Sequence, residues 1–435
     1  MKYFDKSKNN GAKMRILWFT NIQMPDYLRA KGVASPVVGG WMQSLLNAIR
    51  EYCPNISIGV AFAGDVYEQI ETRGVKYYCI GRMSWQRNNY SPAKSFLLNV
   101  SRCVTDFKPD FIHVHGSEGI ARAFERKIAT DVPMIASLQG VISGYYPHYC
   151  GGLTADELRP FASIINKLLK RDSMSVSKMW REHLATAEQK FLNSVDGVMG
   201  RTDWDRAWAR ALAPHTEYFH VGEVLRPEFY AGLRNENLIR RHTIYCSAAL
   251  SYPLKGGHWL LKALRILKKK FPDVQLRVAG ADYITSGKSF CQRIQQSDYS
   301  RYIQCLINEL KIGDNVVLLP KIDAHRVREE LERADVFCLP SLVENSPNSL
   351  GEAIMTGTPC VVTDVGGNRN FIDPEKSGVL VPSADPAMLA YGIEMLFEDR
   401  ERTKAMIQRA YAINKIKYEP SHVVNELKNV YDRYL

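Results

Sequence analysis

The sequence predicts an α/β protein made of two Rossmann-like, doubly wound domains in tandem. The chain has 435 residues, which is more than one hydrophobic core usually serves, so two domains of about 200 residues each are expected. Short apolar runs typical of buried parallel strands alternate with helix-like segments along both halves. A polar stretch near the middle separates the halves, and the alternation starts again after it.

The first half begins with a polar tail, 1–13, which lacks the apolar core of a signal peptide. Residues 14–230 form the predicted N-terminal domain, with a helix from about Gly40 to Tyr52 after a loop rich in Gly and Pro. The predicted strands of this domain are the apolar runs at 14–20, 57–62, 76–80, 111–115, 134–138 and 197–200.

The second half repeats the pattern. A polar linker is predicted at 231–241, a C-terminal domain at 242–415, and a last helix with one apolar face within 416–435. Two such domains place the carboxyl ends of their strands at a cleft, where open α/β sheets bind ligands. The predicted strands of the second domain lie at 243–247, 275–279, 316–319, 336–339 and 360–363.

Composition narrows the class of protein. A hydrophobic fraction of 46% with 24% charged residues is ordinary for a soluble globular protein. The nine cysteines stand singly, without zinc or redox spacing, which favours reduced thiols in a cytoplasmic protein. The sequence has no apolar run long enough to span a bilayer.

The net charge of +11 is concentrated in two stretches, 166–190 and 262–270. The second stretch has its leucines on the opposite helix face, so a solvated face accounts for its lysines. The first stretch is a candidate for contact with anionic lipid headgroups, with a solvated surface as the alternative. Nucleic acid is not a predicted partner, because no compact basic and aromatic cluster is present.

Two glutamates follow the predicted strand 336–339. Glu344 lies on the loop after the strand, and Glu352 lies about one turn into a helix that ends near Gly357. The start of a helix presents unpaired N–H groups and the positive end of its dipole, which suits a phosphate. One acid can accept hydrogen bonds from sugar hydroxyls while the other binds a ribose diol. This arrangement resembles the E-x7-E element of the retaining glycosyltransferases of family 4, which have the GT-B fold.

The resemblance implies a sugar pocket around the first glutamate. Glu344 would contact hydroxyls of the transferred sugar, and Asn345 and Ser346 would line the pocket. The usual Gly-Phe-Gly of the family is replaced here by the four residues 345–348, Asn-Ser-Pro-Asn. The shape of the pocket is therefore expected to differ from that of most relatives.

The resemblance also implies a phosphate and ribose site on the helix. Ser349 and Leu350 would offer backbone N–H groups to the diphosphate, and Glu352 would hold the ribose. Helix capping or surface exposure of the acid is the alternative for an isolated glutamate. The C-terminal helix is expected to cross back onto the first domain, as it does in GT-B proteins.

Lys255 and two glycines stand between the predicted strand 243–247 and a helix. A lysine at a helix N-terminus beside glycines suits a diphosphate, although a lone Lys-Gly pair is commonly a surface feature. The family has an arginine about six residues earlier, where this chain has Ala248 and Ala249. Either another cation such as Lys321 substitutes, or the phosphate relies more on backbone amides.

Gly39 and Gly40 precede the first long predicted helix. A glycine lets the backbone approach an anion closely, although simple turns use the same pair. The pair resembles the glycine loop with which the first domain of the family meets the donor diphosphate.

Gln139 ends the predicted strand 134–138, where many relatives place a histidine. A glutamine can hydrogen-bond a hydroxyl but cannot titrate, so a general base is excluded at this position. The resemblance implies that the leaving phosphate takes the acceptor proton instead. His115, His148 and Arg201 are further candidates for sugar or acceptor contacts.

The segment Asp203-Trp204-Asp205 has the Asp-x-Asp form that other glycosyltransferases use for metals. Here it opens a predicted helix, where acids suit the dipole, so capping is the preferred interpretation. No metal ligand is predicted.

The sequence thus predicts a cytoplasmic retaining glycosyltransferase, with a candidate peripheral contact at the inner face of the membrane. The predicted donor is a UDP-, GDP- or ADP-sugar, without any further cofactor. The acceptor is a saccharide or a lipid-linked saccharide, in surface polysaccharide or glycoconjugate assembly. The alternatives are a GT-B protein that binds a nucleotide-sugar without transfer, and a GT-B nucleotide-sugar epimerase.

Overall fold

The structure is a computed structural model in which the chain forms two compact units. The chain passes between the units four times. Unit 1 contains 1–142, 183–224 and 417–435, and unit 2 contains 143–182 and 225–416. The residues that the structure describes are 13–34, 39–83, 92–124, 132–247, 249–250, 252–280 and 296–434.

Among the described residues, unit 1 forms an eight-stranded sheet in the order β3-β4-β2-β1-β5-β6-β7-β8. Neighbouring strands are parallel except for β3 and β4, which are antiparallel. The strands are β1 (Met14–Thr20), β2 (Ile56–Phe62), β3 (Tyr67–Thr72), β4 (Val75–Ile80), β5 (Phe111–His115), β6 (Met134–Ser137), β7 (Gly197–Gly200) and β8 (Glu217–His220).

Helices cover both faces of this sheet. Successive side chains of a strand point to opposite faces, so Trp18 of β1 packs in one hydrophobic cluster and Phe19 in the other. The last helix of the chain packs in the first cluster through Leu427 and Tyr431, so the predicted return of the C-terminal helix to the first domain is confirmed. The helices of unit 1 include the short helix Pro25–Ala30 and the longer helices Gly40–Tyr52, Lys94–Phe107, Ala185–Leu192, Asp203–Leu212 and Pro420–Tyr434.

The described residues of unit 2 form a six-stranded parallel sheet in the order β11-β10-β9-β12-β13-β14. The order changes direction at β9, which has β10 on one side and β12 on the other. Loops leave the carboxyl edge of such a sheet in opposite directions at this point. The strands are β9 (Thr243–Ser247), β10 (Gln275–Ala279), β11 (Val316–Leu318), β12 (Val336–Leu339), β13 (Cys360–Thr363) and β14 (Val379–Val381).

The core of unit 2 is apolar and fully buried. Helix Gly257–Leu267 buries leucines on one face against the sheet, and Lys262 and Arg265 are not among its buried residues, as the periodicity predicts. The longer helices of unit 2 are Gly257–Leu267, Asp298–Glu309, Ala324–Arg333, Asn348–Thr356 and Pro386–Glu398. The short helices Ala155–Leu158, Ile164–Leu168 and Ser173–Met179 lie in its first segment. Helix Arg400–Lys417 ends at the boundary between the units.

The observed units differ from the predicted domain bounds in one long segment. Residues 143–182 were expected within the N-terminal domain 14–230 but lie in unit 2. The amide Nδ2 of Asn166 donates to the Gln296 carbonyl at 2.8 Å. These partners are far apart in the chain, so no local pattern could place the segment.

The predicted linker 231–241 is also packed. The N–H of Arg234 donates to the Thr356 carbonyl at 2.8 Å, and unit 2 begins at residue 225. Its polar composition reflects a surface position and not a free linker.

Three strands escaped the sequence prediction: β3, β8 and β14. All three lie at sheet edges. The side chains of β3 and β8 are partly exposed, and β14 is apolar but has only three residues. None of the described helices is both long and apolar enough to cross a membrane.

Candidate functional site

A half-buried lysine and a buried glutamate form an ion pair at the carboxyl edge of the unit 2 sheet. Lys255 Nζ lies 2.6 Å from Glu344 Oε1, and the Ser341 hydroxyl donates to the same oxygen at 2.6 Å. Glu344 is 4% exposed. Both hydrogen bonds that described side chains make to this carboxylate reach Oε1, so Oε2 keeps its capacity to accept. The two partners follow β9 and β12, neighbouring strands at the point where the sheet order changes direction.

The main chain fixes Glu344 in place. The N–H of Gly367 donates to the Glu344 carbonyl at 3.0 Å. Gly366 has a φ of +53°, and a Cβ added there would lie 1.7 Å from the same carbonyl oxygen, so glycine is required. The Thr363 hydroxyl donates to the Ser341 carbonyl at 2.6 Å and joins this loop to the end of β13.

The loop that carries Lys255 is tied to the loop after β12. The N–H of Leu342 donates to the Leu254 carbonyl at 2.8 Å. Gly256 has a φ of +70°, and a Cβ added there would lie 1.9 Å from the Pro340 carbonyl oxygen. The two loops therefore approach so closely that the position of the lysine depends on a glycine beside it.

Ala249, one of the two alanines where the family has an arginine, lies buried and makes a main-chain hydrogen bond. Ala249 is 1% exposed, and its carbonyl accepts from the Gly257 N–H at 3.1 Å. Ala248 lies outside the described residues. Lys321 lies exposed after β11, and its role as a substitute cation stays a prediction.

The residues after Glu344 differ in exposure. Asn345 is fully buried, and Ser346 is half-buried. A buried amide next to the carboxylate and a half-exposed hydroxyl can both make directional hydrogen bonds to a polyol. Their role in a sugar pocket stays a prediction.

The helix Asn348–Thr356 begins without a side-chain cap among the described residues. Pro347 stands at its N-cap, and the N–H of Leu350 donates to the Pro347 carbonyl at 3.0 Å. That bond engages one of the two N–H groups predicted for the phosphate. Ser349, the other, is half-buried in the first turn.

Glu352 lies in the same helix and is buried beside a cation. Its Oε1 accepts from Arg226 Nε at 2.8 Å, and the Arg226 guanidinium lies 5.0 Å from the centre of the Phe229 ring. Glu352 is 5% exposed. A buried, paired glutamate is not a surface acid, which removes that alternative, whereas its ribose role stays a prediction.

Gly39 and Gly40 lie in unit 1 at the start of helix Gly40–Tyr52. Gly39 has a φ of +73°, and a Cβ added there would lie 3.0 Å from the Gln23 carbonyl oxygen. The described residues give this helix no side-chain cap. The residues before Gly39, at 35–38, lie outside the described part of the chain.

Two stacked histidines lie at the end of β5 in unit 1. The ring centres of His113 and His115 are 3.8 Å apart, and Trp18 packs on His115. The two ring nitrogens of His113 pair with the hydroxyls of Tyr431 at 2.7 Å and Ser137 at 2.6 Å. Burial lowers the pKa of His113 to about 3, so the ring is neutral and joins the sheet to the last helix.

His115 is buried differently. Neither of its ring nitrogens has a hydrogen-bond partner among the described residues. Burial lowers its pKa well below the usual range, and the positive charges that His113 and Arg201 would add lower it further. A buried imidazole with two unused nitrogens keeps its capacity to donate one hydrogen bond and to accept one.

Gln139 and Arg201 are brought together at the ends of β6 and β7. Both terminal nitrogens of Arg201 donate to Gln139 Oε1 at 3.3 Å, and one of them lies 3.5 Å from Glu223 Oε1. His148 does not join this group, because it lies exposed in the 143–182 segment of unit 2.

The segment 203–205 caps a helix, as predicted. The Thr202 hydroxyl accepts from the Asp205 N–H at 3.1 Å, and Asp205 completes a capping box. Tyr218 donates to the Asp205 carboxylate at 2.6 Å. The described residues contain no group of three acids, histidines or cysteines placed to hold a metal.

Three residues of the unit 2 site escaped sequence analysis: Ser341, Gly366 and Arg226. Ser341 stands three positions before Glu344, so an examination of that loop could have found it. The other two act over long sequence distances. No local signal marks an arginine at position 226 as the partner of a glutamate at position 352.

The class of the protein follows from this fold. Two Rossmann-like units with the last helix packed on the first define the GT-B fold of glycosyltransferases. The structure superposes on sucrose-phosphate synthase from Thermosynechococcus elongatus with a TM-score of 0.68, at 16% identity, over 97% of this chain and 99% of that one. It also superposes on Anabaena Alr3699/HepE in complex with UDP-glucose with a TM-score of 0.64, at 15% identity, over 97% and 100% of the chains.

The family is given by the sequence of the second unit. Residues 233–413 match the family model described as Glycosyl transferases group 1. The D-inositol 3-phosphate glycosyltransferase of Corynebacterium urealyticum is 32% identical over 157 residues, which is 36% of this chain and 35% of that protein. That of Paenarthrobacter aurescens is 29% identical over 153 residues, 35% of each chain. The matched stretch spans about a third of these curated relatives.

Proposed function

We propose that the protein is a retaining glycosyltransferase of the family 4 type, which moves a sugar from a nucleotide-sugar to a saccharide or lipid-linked saccharide acceptor. The observation that carries the proposal is the ion pair of Lys255 with Glu344 at 2.6 Å, at the carboxyl edge of the group 1 domain. A cation and a carboxylate at this edge, beside two helix N-termini, suit a donor with a diphosphate at one end and a polyol at the other.

Glu344 is the proposed sugar ligand. Its buried carboxylate makes two hydrogen bonds through Oε1, to Lys255 and Ser341. Oε2 then accepts from hydroxyls of the transferred sugar. A hydrogen bond to a charged acceptor contributes about 1.5–3 kcal/mol, so this contact orients the sugar strongly.

Lys255 is the proposed stabiliser of the leaving group. An ammonium has three donors, so it can keep its bond to Glu344 while it donates to a diphosphate oxygen. The bond between the anomeric carbon and the phosphate oxygen breaks, and negative charge grows on that oxygen. A fixed cation beside this charge lowers the barrier, because the interaction is stronger in the transition state than in the ground state.

The acceptor hydroxyl is proposed to attack from the face that the phosphate leaves. Its oxygen bonds to the anomeric carbon, and its proton passes to the departing phosphate oxygen, so the configuration is retained. Gln139 cannot accept this proton, which agrees with a phosphate base. We propose that Lys255 supplies charge for departure of the diphosphate without a metal.

The remaining donor contacts are proposed from the helix Asn348–Thr356. Ser349 supplies an N–H to the diphosphate, since the N–H of Leu350 already donates to Pro347. Glu352, oriented by Arg226, binds the ribose diol. Gly39 and Gly40 are proposed to meet the diphosphate, and His115, Gln139, Arg201 and His148 to contact the sugar or the acceptor.

A cytoplasmic role in surface polysaccharide or glycoconjugate assembly fits this chemistry. The structural neighbour Alr3699/HepE is known in complex with UDP-glucose, which makes a UDP-sugar the first donor to test. GDP- and ADP-sugars complete the set.

The test is a thermal-shift and sugar-release screen of the purified protein against UDP-, GDP- and ADP-sugars, with and without chelator. We expect one nucleotide class to raise the melting temperature and to release sugar slowly, whether chelator is present or not. Glu344→Gln should abolish release. Glu401→Gln, at a side chain that is 90% exposed, is the matched control and should leave release unchanged.

Each other outcome replaces the proposal with a stated alternative. Stabilisation without release, with any acceptor, indicates a protein that binds a nucleotide-sugar without transfer. Conversion of the donor to an epimeric sugar, detected by chromatography, indicates an epimerase. Stabilisation by no nucleotide contradicts the assignment of the site.

A further inference from the structure

A short basic and apolar segment, 163–171, stands out on the surface of unit 2. Its sequence is Ser-Ile-Ile-Asn-Lys-Leu-Leu-Lys-Arg. The exposed fractions are 77% for Ile164, 41% for Ile165, 77% for Leu168 and 54% for Leu169. Single exposed apolar residues are common on proteins, whereas four within six positions form a patch that marks an interaction surface.

This segment buries a polar side chain and exposes its apolar ones. Asn166 is its one buried residue, and the Nδ2 of Asn166 donates to the Gln296 carbonyl at 2.8 Å. The Asn166 carbonyl accepts from the Arg171 N–H at 2.8 Å, and the Ser163 hydroxyl caps the helix Ile164–Leu168. A polar side chain therefore holds the segment to the protein while the leucines and isoleucines point outward. Folding gains little from apolar residues placed this way, which favours a role for them in contact with another surface.

Contacts on both sides hold the segment in position. The Ser173 N–H and hydroxyl donate to the Asp298 carboxylate at 2.8 and 2.7 Å. Arg301 donates to the Phe161 carbonyl at 2.9 Å. The exposed side chains are thus presented by a fixed platform and are not part of a loose tail.

The charge of the segment selects the partner. Lys167, Lys170 and Arg171 are exposed, and 163–171 contains no acidic residue. The nearest acid, Asp172, is buried, and its carboxylate accepts from Ser175. A second copy of the chain would bring the same positive charge to the contact, which disfavours self-association through this face.

We propose that the 163–171 segment docks the protein on the surface of a bilayer that contains anionic lipids. The outward isoleucines and leucines enter the boundary between headgroups and acyl chains, and the three cations bind lipid phosphates or carboxylates. Interfacial binding of this kind adds buried apolar area to electrostatic attraction. The segment belongs to the unit that carries the proposed donor site. The inference does not depend on the proposed transferase activity, because its test measures binding alone.

The experiment is sedimentation of the full chain with vesicles, either phosphatidylcholine alone or phosphatidylcholine with roughly a third phosphatidylglycerol, over a range of salt concentrations. We expect binding to the anionic vesicles that weakens with salt. The double variant Ile164→Ser with Leu168→Ser should bind at least about tenfold more weakly. Lys167→Gln with Arg171→Gln should lose about tenfold on anionic vesicles and flatten the salt dependence.

Matched controls keep the result specific. Leu98→Ser with Ile416→Ser changes two side chains that are 61% and 69% exposed elsewhere, and should bind as the unchanged protein does. Melting curves of all variants should coincide, because every changed side chain is exposed.

Three results would overturn the proposal. The first is that the unchanged protein binds neither vesicle. The second is that the double variant Ile164→Ser with Leu168→Ser binds as well as the unchanged protein. The third is that sedimentation velocity shows a dimer that the same double variant abolishes, which would make a second copy the occupant of this face.

Discussion

The two regions that carry the candidate residues are built differently. In unit 2, Lys255 and Glu344 are held by close approaches of main chain that only glycine permits. In unit 1, the polar residues at the ends of β5 and β6 are held by side chains, above all by Tyr431 of the last helix. A backbone frame leaves the carboxylate and the ammonium with unused hydrogen-bonding capacity, whereas a side-chain network consumes that capacity.

This difference separates residues that bind a ligand from residues that hold the fold. His113 has both ring nitrogens occupied and is structural. Glu344 accepts two hydrogen bonds at one oxygen and retains the other for a ligand. His115 is the exception in unit 1, because both of its nitrogens lack partners among the described residues.

The largest effect is expected from the charge of Lys255. Lys255→Gln keeps a donor for Glu344 but removes the cation from the leaving diphosphate, so kcat/KM should fall about 10²–10³-fold, or about 3–4 kcal/mol. Steady-state transfer assays with the donor found in the screen measure this. Lys269→Gln, at an exposed lysine just after helix Gly257–Leu267, is the control. Equal activity of the two variants would remove Lys255 from the mechanism.

The second-largest effect is expected from a substitution that disrupts the main-chain contacts around Glu344. Gly366→Ala puts a Cβ 1.7 Å from the Glu344 carbonyl oxygen at a positive φ, so the free energy of unfolding should fall by roughly 2–4 kcal/mol. Gly74→Ala also has a positive φ but meets no atom within 4 Å. It isolates the conformational strain and should cost about 1 kcal/mol. Urea unfolding measures both, and equal losses would show that the close approach is not rigid.

Two buried histidines, His115 in unit 1 and His258 in unit 2, allow a direct comparison of the effect of hydrogen bonding on stability. His115→Phe replaces a buried ring whose nitrogens have no described partner, so stability at neutral pH should rise by about 1–2 kcal/mol. His258→Phe in unit 2 is the matched change. The ring nitrogens of His258 pair with the Tyr299 hydroxyl and the Gly151 carbonyl, both at 3.0 Å, so this variant should lose stability.

The same variants have an expected dependence on pH. Burial holds the pKa of His115 well below its unfolded value of about 6.5, so acid protonates this group first in the unfolded chain, and the free energy of unfolding falls as the pH drops below that value. His115→Phe should therefore be less sensitive to acid than the unchanged protein. A fall in stability at neutral pH would show instead that the imidazole is needed for the fold. A loss of transfer without a loss of stability would support contact with the acceptor.

The smallest effect is expected on donor affinity, from a change at Glu352, the proposed ribose ligand. Glu352→Gln should weaken donor binding about tenfold, since a neutral amide replaces a charged acceptor. Arg226→Gln is the companion variant, because it changes the partner of Glu352 without removing the carboxylate. Titration calorimetry with the donor measures both affinities. Unchanged affinity in Glu352→Gln would contradict the ribose assignment.

Most of the second sheet could be predicted because its strands are short runs of buried apolar residues. β12, for example, is Val-Phe-Cys-Leu with all four residues buried. β3 and β8 were missed because their side chains alternate or are largely exposed, so they carry no such run. The pattern detects burial on both faces of a strand and not strand pairing itself.

The sequence marks those candidate residues whose proposed roles depend on neighbours in the chain. Glu344, Ser349 and Glu352 lie on one loop and the helix that follows, so their spacing marks them together. Arg226 and Gly366 could not be found this way, because their importance comes from a side chain or a carbonyl that is distant in sequence.

The sequence by itself predicted the two α/β units and marked Glu344 and Glu352 as candidates for the proposed donor site, because strand patterns and the helix N-terminus are local properties. Tertiary structure alone decided three further things: the pairing of Lys255 with Glu344, the pairing of Glu352 with Arg226, and the place of 143–182 in unit 2. The physical reason is that these depend on long-range contacts. Their energies are set by burial and by hydrogen bonds between segments that no spacing in the chain relates.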